Sequence, residues 1–551
     1  MKRILLVLCS SLLLVLSFPN FDLGFLAWVG LLPLFIAIHA KSLKYSFLLS
    51  FACGVLFFAG IFYWIVEVPG YKPLIHHTLL GLYLGPFFAF WGLAFSYISK
   101  RWGITPALFA APFVWVFLEY ARSNLDFLSL PWALLAHSQY RYPVVIQIAS
   151  VTGAYGISFL IVLVNAGLAV LILGHERLKI PPRLPFSKGG VTTLQEEGKV
   201  APPLEKGDRG GFQIGTKEKL SLEVIAASLL IFTLVYGYFT ISNTIAGNKV
   251  KISLVQGNIE QSKKWNPRYA REVMKTYTDL TQEASKDQPA MIIWPETATP
   301  GSITQIPMLY SAVKSIAKNA GTFLLLGSAQ HQKFASKEPM RPKYFNSAYL
   351  INPDPAGSKN QRYDKIRLFP FGEYLPFKEI LPWSMIKVSS LDSYTPGKEF
   401  TVFEHPDFRF GVTICWESVF PDLFREFVKH GAQCMINVTN EARFGKTAAS
   451  HQVVTSSVFR AVENRIFVVR CANTGVSCII DPHGHIVDRV KDEKGQDIFV
   501  RGTMTGEIIP LDSKTIYTRY GDWFVWVVFL GSVAFLFIGW CRGRKVGQKQ
   551  K

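Results

Sequence analysis

Eight apolar runs constrain this chain more than any other feature. They lie at about 4–17, 23–40, 46–66, 76–98, 104–120, 154–173, 224–241 and 523–540. Most have about 17–23 residues, close to the roughly 20 that cross a hydrocarbon core as a helix. With no water in the bilayer to satisfy backbone groups, such runs must fold as helices. Half of the 551 residues are apolar and only 18% are charged, which excludes a disordered or collagen-like chain. The first run, 14 residues long after Lys2-Arg3, also has the form of a signal peptide, but no A-x-A site follows it.

Loop charges set an expected orientation. Segments 1–3, 41–45, 99–103, 174–220 and 541–551 carry 2, 2, 2, 9 and 5 Lys/Arg, whereas the intervening short loops carry only Lys72, Arg122 and Arg141. By the positive-inside rule both termini are cytoplasmic, and residues 242–522 lie outside the cytoplasm. A re-entrant hairpin made from the first two runs leaves this parity unchanged. The net charge of +19 then suits an anionic membrane surface rather than nucleic acid. Residues 175–220, rich in Pro, Gly, Lys and Glu without apolar period, read as a flexible cytoplasmic linker. The expected division is a bundle of six spans over 1–174, the linker, a seventh span within 221–245, a domain at 249–511, an eighth span at 523–540 and a basic tail at 541–551.

From Lys249 the pattern changes to short β-branched runs at 252–255, 291–294, 323–327, 412–415, 435–438, 466–471 and 476–480. Amphipathic stretches at 267–285, 307–319 and 448–465 lie among them, which predicts one α/β domain with a buried sheet. Chemistry in such domains gathers at the carboxyl ends of strands. Glu296 follows a strand in Ile292-Ile-Trp-Pro-Glu-Thr, Lys365 sits in Tyr363-Asp-Lys-Ile-Arg, and Cys415 ends a strand in Phe410-Gly-Val-Thr-Ile-Cys-Trp-Glu417. A cysteine there is a candidate nucleophile, a glutamate its base and a lysine an oxyanion stabiliser. Taken one at a time, the same residues also read as a buried apolar thiol, a helix cap and a surface lysine.

The three words in this order and spacing resemble the nitrilase superfamily, which implies an αββα sandwich and a Glu–Lys–Cys triad. Joined to the apolar runs, they make the whole chain similar to the membrane-bound apolipoprotein N-acyltransferase family. Further matching words are Leu254-Val-Gln-Gly-Asn-Ile-Glu-Gln-Ser, Phe369-Pro-Phe-Gly-Glu-Tyr-Leu-Pro, Phe444-Gly, Arg460-Ala-x-Glu-x-Arg465 and Asn473-Thr-Gly475. The resemblance implies a polytopic α-helical protein of about eight spans in a bacterial inner membrane, with an extracytoplasmic nitrilase-like domain. It implies acyl transfer from a phospholipid to the Cys415 thiol, then to the α-amine of a diacylglyceryl-cysteine on an apolipoprotein. Glu296 is then the general base and Lys365 the charge stabiliser, with Glu373, Glu417 and Trp416 as active-site support. No cofactor or metal is expected. Two departures stand out: Arg443 where the family word has Trp, and Trp416 where Tyr often follows the cysteine.

The backbone N–H of Trp416 is a candidate second oxyanion donor. On a continuing strand, Glu417 would share the face of Cys415; with Glu373 it is expected to orient Lys365. The aromatic stretch Leu368–Val388, containing Trp383, reads either as a membrane-facing lid or as an ordinary packed loop. Trp132 and Trp265 are candidates to line the substrate path; Glu119 and Arg122 either pair, meet a headgroup or mark the interface. Cys471 and Cys478 are expected as free thiols. His483-Gly-His485 has no evident third metal ligand at suitable spacing. A membrane-tethered amidase sharing the triad, and a transporter with an outer ligand-binding domain, are the competing readings; internal repeats, common in transporters, are not evident.

Overall fold

The computed structural model describes residues 1–68, 73–175, 216–332, 343–354, 361–377 and 394–548. The expected linker lies mostly outside these residues, as does Trp383.

The apolar runs form helices. Six are long and apolar enough to cross a membrane: Leu43–Ile61, Ile75–Trp102, Ile104–Ser123, Ala154–Leu173, Leu222–Ile241 and Trp523–Arg542. Close packing replaces hydrophobic driving force between such helices, so small residues sit where backbones approach. A Cβ on Gly92 would lie 2.0 Å from the Ser50 hydroxyl, between the second and first of these six. Large apolar side chains such as Phe232, Tyr238, Phe239, Trp526, Leu530 and Phe537 remain exposed on the last two, as lipid-facing residues do.

The first two runs form shorter and less regular helices than the other six. Lys2–Leu16 is a helix of 15 residues, and 23–40 is broken into Gly24–Leu26, Ala27–Gly30 and Leu32–Ile38. The break is satisfied from a distance. Asn165 donates to the Ala27 carbonyl at 2.9 Å, and its side-chain oxygen accepts the N–H groups of Leu31 and Leu32 at 2.9 and 3.1 Å. A polar side chain inside the bundle thus takes up backbone groups that an apolar run cannot serve locally.

The second half folds into two six-stranded sheets. In chain order the strands are β1 (Val250–Gln256), β2 (Met291–Ile293), β3 (Phe323–Gln332), β4 (Lys343–Ile351), β5 (Gln361–Asp364), β6 (Val402–Glu404), β7 (Arg409–Ile414), β8 (Cys434–Thr439), β9 (Phe467–Ala472), β10 (Cys478–Ile480), β11 (Ile486–Arg489) and β12 (Gly502–Ile508). The sheet orders are β12-β1-β2-β3-β4-β5 and β11-β10-β9-β8-β7-β6. Alternation divides the first sheet's side chains between two cores. Ile252, Leu254, Ile293 and Leu325 join a core with Val412, Ile414, Ile436 and Val469 of the second sheet. Val255, Ile292, Leu324 and Leu326 pack instead with Val273, Leu280 and Val313 of the helices Ala270–Ser285 and Pro307–Ala320.

The second sheet carries Pro421–Lys429 and Ala449–Asn464. In the latter every residue but His451 is buried, because its outer side meets the bundle. Gln452 accepts the indole N–H of both Trp64 and Trp132 at 3.1 Å and donates to the Ile61 carbonyl at 3.0 Å. Glu463 accepts the N–H of Ala154 at 3.2 Å, at the start of a spanning helix. The αββα layering is therefore seated on the bundle through one of its own helices.

Candidate active site

Glu296, Lys365 and Cys415 stand just beyond β2, β5 and β7. Each loop has a local reason to stop the strand there. Pro295 lacks the N–H that would continue a ladder. Its carbonyl accepts from Gly327 N at 3.2 Å, and a Cβ on Gly327 would lie 2.6 Å from Thr297 N, so only glycine lets the Glu296 loop lie on β3. Lys365 N donates to the Asn346 carbonyl at 2.9 Å, which anchors it beside β4. Cys415 has φ 58°, in the left-handed region where residues with a Cβ are strained. The strain is held by bonds to its carbonyl from Asn437 Nδ2 at 3.1 Å and Ser418 Oγ at 3.3 Å.

Ion pairs and amides then assemble the triad. Lys365 Nζ is 2.8 Å from Glu373 Oε2 and 4.0 Å from Glu296 Oε1. Asn346 donates to Glu296 Oε1 and to Glu373 Oε1, both at 2.8 Å, and Asn440 N donates to Glu296 Oε2 at 2.8 Å. Phe369 N donates to Glu373 Oε2 at 2.7 Å. Burial alone would discharge Lys365, but Glu373, the thiol and Glu296 outweigh it and hold its pKa above the ordinary lysine value. Burial pushes the Cys415 thiol well up, Glu296 adds to this, and Lys365 opposes it. Cys415 therefore rests as a thiol, and were its sulfur to attack a substrate, the proton would have to move with the attack.

Glu417 bears on Lys365 through the backbone beside it rather than through a direct ion pair. The chain leaves the strand at Cys415 and turns through Cys415–Val419, so the alternation of a strand does not apply. Glu417 Oε1 accepts the N–H groups of Ile366 and Arg367 at 2.8 and 2.9 Å, and Oε2 accepts Ile414 N at 2.8 Å. Tyr363 donates its hydroxyl to the same carboxylate at 2.9 Å. The group staples the Lys365 loop to the Cys415 turn. Its burial pushes the carboxyl up to about 7, against the pull of Lys365 and of these donors. A glutamine has one acceptor oxygen where three backbone donors converge on two. Glu417→Gln is expected to leave a donor unpaired, at about 1–3 kcal/mol locally. Hydrogen exchange at Ile366, Arg367 or Ile414 N–H should accelerate; unchanged exchange at all three would contradict the staple.

Other candidates fall in several places. Trp416 donates its indole N–H to the Arg367 carbonyl at 2.8 Å and packs on Phe369 and Phe420. Trp132 is buried at the bundle junction with its N–H held by Gln452. Trp265 is 46% exposed. Arg122 is spent on the carbonyls of Leu130, Trp132 and Ala133, and Glu119 accepts the Leu135 N–H. Cys471 and Cys478 are buried and free. Asp481 supplies the third ligand type missing from the reading of His483 and His485, with donor atoms within 4.8 Å of one another. Its carboxylate, however, already accepts the N–H groups of both residues and His485 Nδ1.

Two site residues escaped the sequence reading. Asn346 sits in a strand, Lys343–Ile351, that no apolar run announced. Lys264, buried, donates to the Glu296 carbonyl at 2.9 Å. Burial draws its pKa down to about 8, Glu296 and Cys415 acting to raise it and Arg443 to lower it. Its only signal was adjacency to Trp265.

The arrangement offers a nucleophile, a base with both oxygens oriented, and a fixed ammonium. Residues 10–167 match the apolipoprotein N-acyltransferase N-terminal domain, and residues 251–508 match the carbon-nitrogen hydrolase family. An apolipoprotein N-acyltransferase of Geobacter metallireducens is 34% identical, over 96% of this chain and 93% of its own. One from Chlorobaculum tepidum is 29% identical, over 95% and 93%. Among solved structures, an amidase of the nitrilase superfamily from Nesterenkonia AN1 aligns with a TM-score of 0.36 at 17% identity, covering 50% of this chain and 95% of that one. The chain, with its apolar helices and two-sheet carbon-nitrogen hydrolase domain, belongs to the apolipoprotein N-acyltransferase family.

Proposed function

We propose that this protein moves an acyl chain from a membrane phospholipid to the α-amine of an N-terminal diacylglyceryl-cysteine, by way of a thioester on Cys415. The carrying observation is the Glu296–Lys365–Cys415 cluster in a domain whose helix Ala449–Asn464 is packed against spanning helices. In the first half-reaction Glu296 takes the thiol proton as Sγ attacks the ester carbonyl, and Lys365 faces the oxyanion that forms. The glycerol alkoxide leaves with the proton from Glu296, giving a lysophospholipid and the thioester. In the second, the amine attacks the thioester, Glu296 takes its proton, and the sulfur leaves to regain it. The product is an amide, and the thiol is restored. The test is a mass spectrum of the Cys415 peptide after incubation with phospholipid, before and after adding a diacylglyceryl peptide. An acyl adduct that disappears as the N-acyl peptide forms supports the reading. Free fatty acid as the sole product would instead mark an amidase or esterase.

The same reading puts the chain in a bacterial inner membrane, with about eight passes, both termini cytoplasmic and residues 249–511 on the outer side. It rests on the asymmetry of Lys/Arg between alternate loops. Reporter fusions after Lys249 and at Lys551 are expected to score outside and inside respectively. Cytoplasmic signal after Lys249 would overturn the orientation.

A further inference from the structure

Among the ring contacts between the catalytic domain and the bundle, two involve short turns just past helix ends. Phe377, in the loop after Lys365, meets Phe127 with ring centroids 5.1 Å apart, and Phe444 meets Trp64 at 5.0 Å. Phe127 lies in Asp126–Leu128, just past the helix Ile104–Ser123, and Trp64 lies in Tyr63–Glu67, just past Leu43–Ile61. Both contacts therefore fall just past the ends of helices long and apolar enough to span a membrane, where headgroups would lie if they do.

Arg443 belongs to the short turn Ala442–Phe444 that makes the second contact. One residue on, Phe444 is seated on Trp64; three residues back, Asn440 N holds Glu296 Oε2. The turn thus spans from the catalytic base to the rim of the bundle. Arg443 is exposed and, among the described residues, forms no ion pair or hydrogen bond. Neighbouring cations are already engaged. Lys365 is paired with Glu373, Lys264 with the Glu296 carbonyl, Arg367 with Asp422, and Arg470 with Glu441 at 2.5 Å. Glu67, beside Gly445, makes no ion pair with Arg443. The charge of Arg443 is felt at Lys264 and at Tyr394, whose N–H donates to the Glu373 carbonyl at 2.9 Å. It is an exposed, unpaired guanidinium on the turn that runs from the backbone holding Glu296 to the contact with the bundle.

The geometry points to Arg443 as the residue that binds the phosphate of the acyl donor and sets a preference for donors that carry one. This rests on the phospholipid-donor reading above. A guanidinium matches a phosphate's oxygens with two parallel N–H donors, a contact stronger than a neutral one. Phosphate and ester share one glycerol, so a cation three residues beyond the backbone N–H that holds Glu296 can hold the first while Cys415 meets the second. The tryptophan of the family word at this position would supply stacking surface but no charge.

The test uses the full-length protein in neutral detergent micelles, which contain no other phosphate. Thioester formation on Cys415 is timed in a single turnover with phosphatidylglycerol and with a diacylglycerol of the same chains. Arg443→Gln is expected to slow acylation by phosphatidylglycerol about 10- to 100-fold, the range for losing a charged hydrogen bond. It should leave acylation by diacylglycerol unchanged, and Arg443→Lys should recover part of the rate through its point charge. Equal losses on both lipids would make Arg443 a structural residue and overturn the assignment. So would no loss, a deficit confined to anionic vesicles, or a deficit confined to the aminolysis step, which would point to the acceptor peptide. If the wild-type protein formed no thioester from either lipid while Cys415 still reacted with a small alkylating agent, the phospholipid reading itself would fall, and this assignment with it.

Discussion

Cys415→Ala is expected to abolish acyl-enzyme formation and transfer, leaving no turnover above background. No other thiol in the domain can stand in. Cys434, Cys471 and Cys478 are buried, and burial pushes each thiol up, to about 12 for Cys471 and about 11 for Cys478. Cys415 alone among them is partly exposed. The substitution should not disturb the turn, because alanine at φ 58° is no more strained than cysteine there. The bonds that hold the turn run to the Cys415 carbonyl and to Glu417, not to the sulfur. The intact mass of the protein after incubation with phospholipid is the measurement. An acyl adduct on the alanine variant would sink the nucleophile assignment. Cys415→Ser should fare little better, since a hydroxyl is a weaker nucleophile and has a higher pKa in the same buried setting.

Glu296→Gln is expected to slow acylation by 10²–10⁴-fold, the usual worth of a positioned general base. The loss should depend on pH in a defined direction. Burial and the Glu296 carboxylate both hold the thiol protonated. Removing the carboxylate lowers the thiol pKa but removes the proton acceptor. Below that pKa, each unit of pH raises the thiolate fraction tenfold, so alkylation of the variant should climb with slope one. In the wild-type protein Glu296 supplies the base, so alkylation should be flatter over the same range. The deficit of the variant therefore shrinks as pH rises. Both Glu296 oxygens accept hydrogen bonds, from Asn346 and from Asn440 N, so the glutamine amide must turn its NH₂ toward one donor. That misplacement lowers the rate equally at all pH values and is separable by the slope. A flat, wild-type profile in Glu296→Gln, or its loss in Glu417→Gln alone, would mean that another group is the base.

The apolar runs and the three strand-end words were legible because each depends on neighbours in sequence. About 20 apolar residues have few options besides a membrane helix, and Ile-Ile-Trp-Pro-Glu or Val-Thr-Ile-Cys carries its strand and its stop in four or five residues. Strands of weaker local character were not legible. The buried strand Lys343–Ile351 interleaves Asn346 and Ser347 with its apolar residues, and Gly502–Ile508 contains two glycines. Their strand identity is enforced by partners on either side, as β4 lies between β3 and β5.

What local sequence by itself determined was composition-driven: which segments form helices long and apolar enough to span a membrane, and which residues end strands. What only the tertiary structure decided was where polar groups find partners far along the chain. Asn165 completes a helix broken at Leu31, 134 positions away. Glu417 holds the Lys365 loop, 50 positions before it, through backbone N–H groups. Asn346 and Asn440 fix the two oxygens of Glu296 across separations of 50 and 144. The reason is energetic: a buried donor or acceptor must be paired at a cost of about 1–3 kcal/mol if it is not. The partner that meets this need is set by which strands and helices become neighbours, a quantity that no local window of sequence contains.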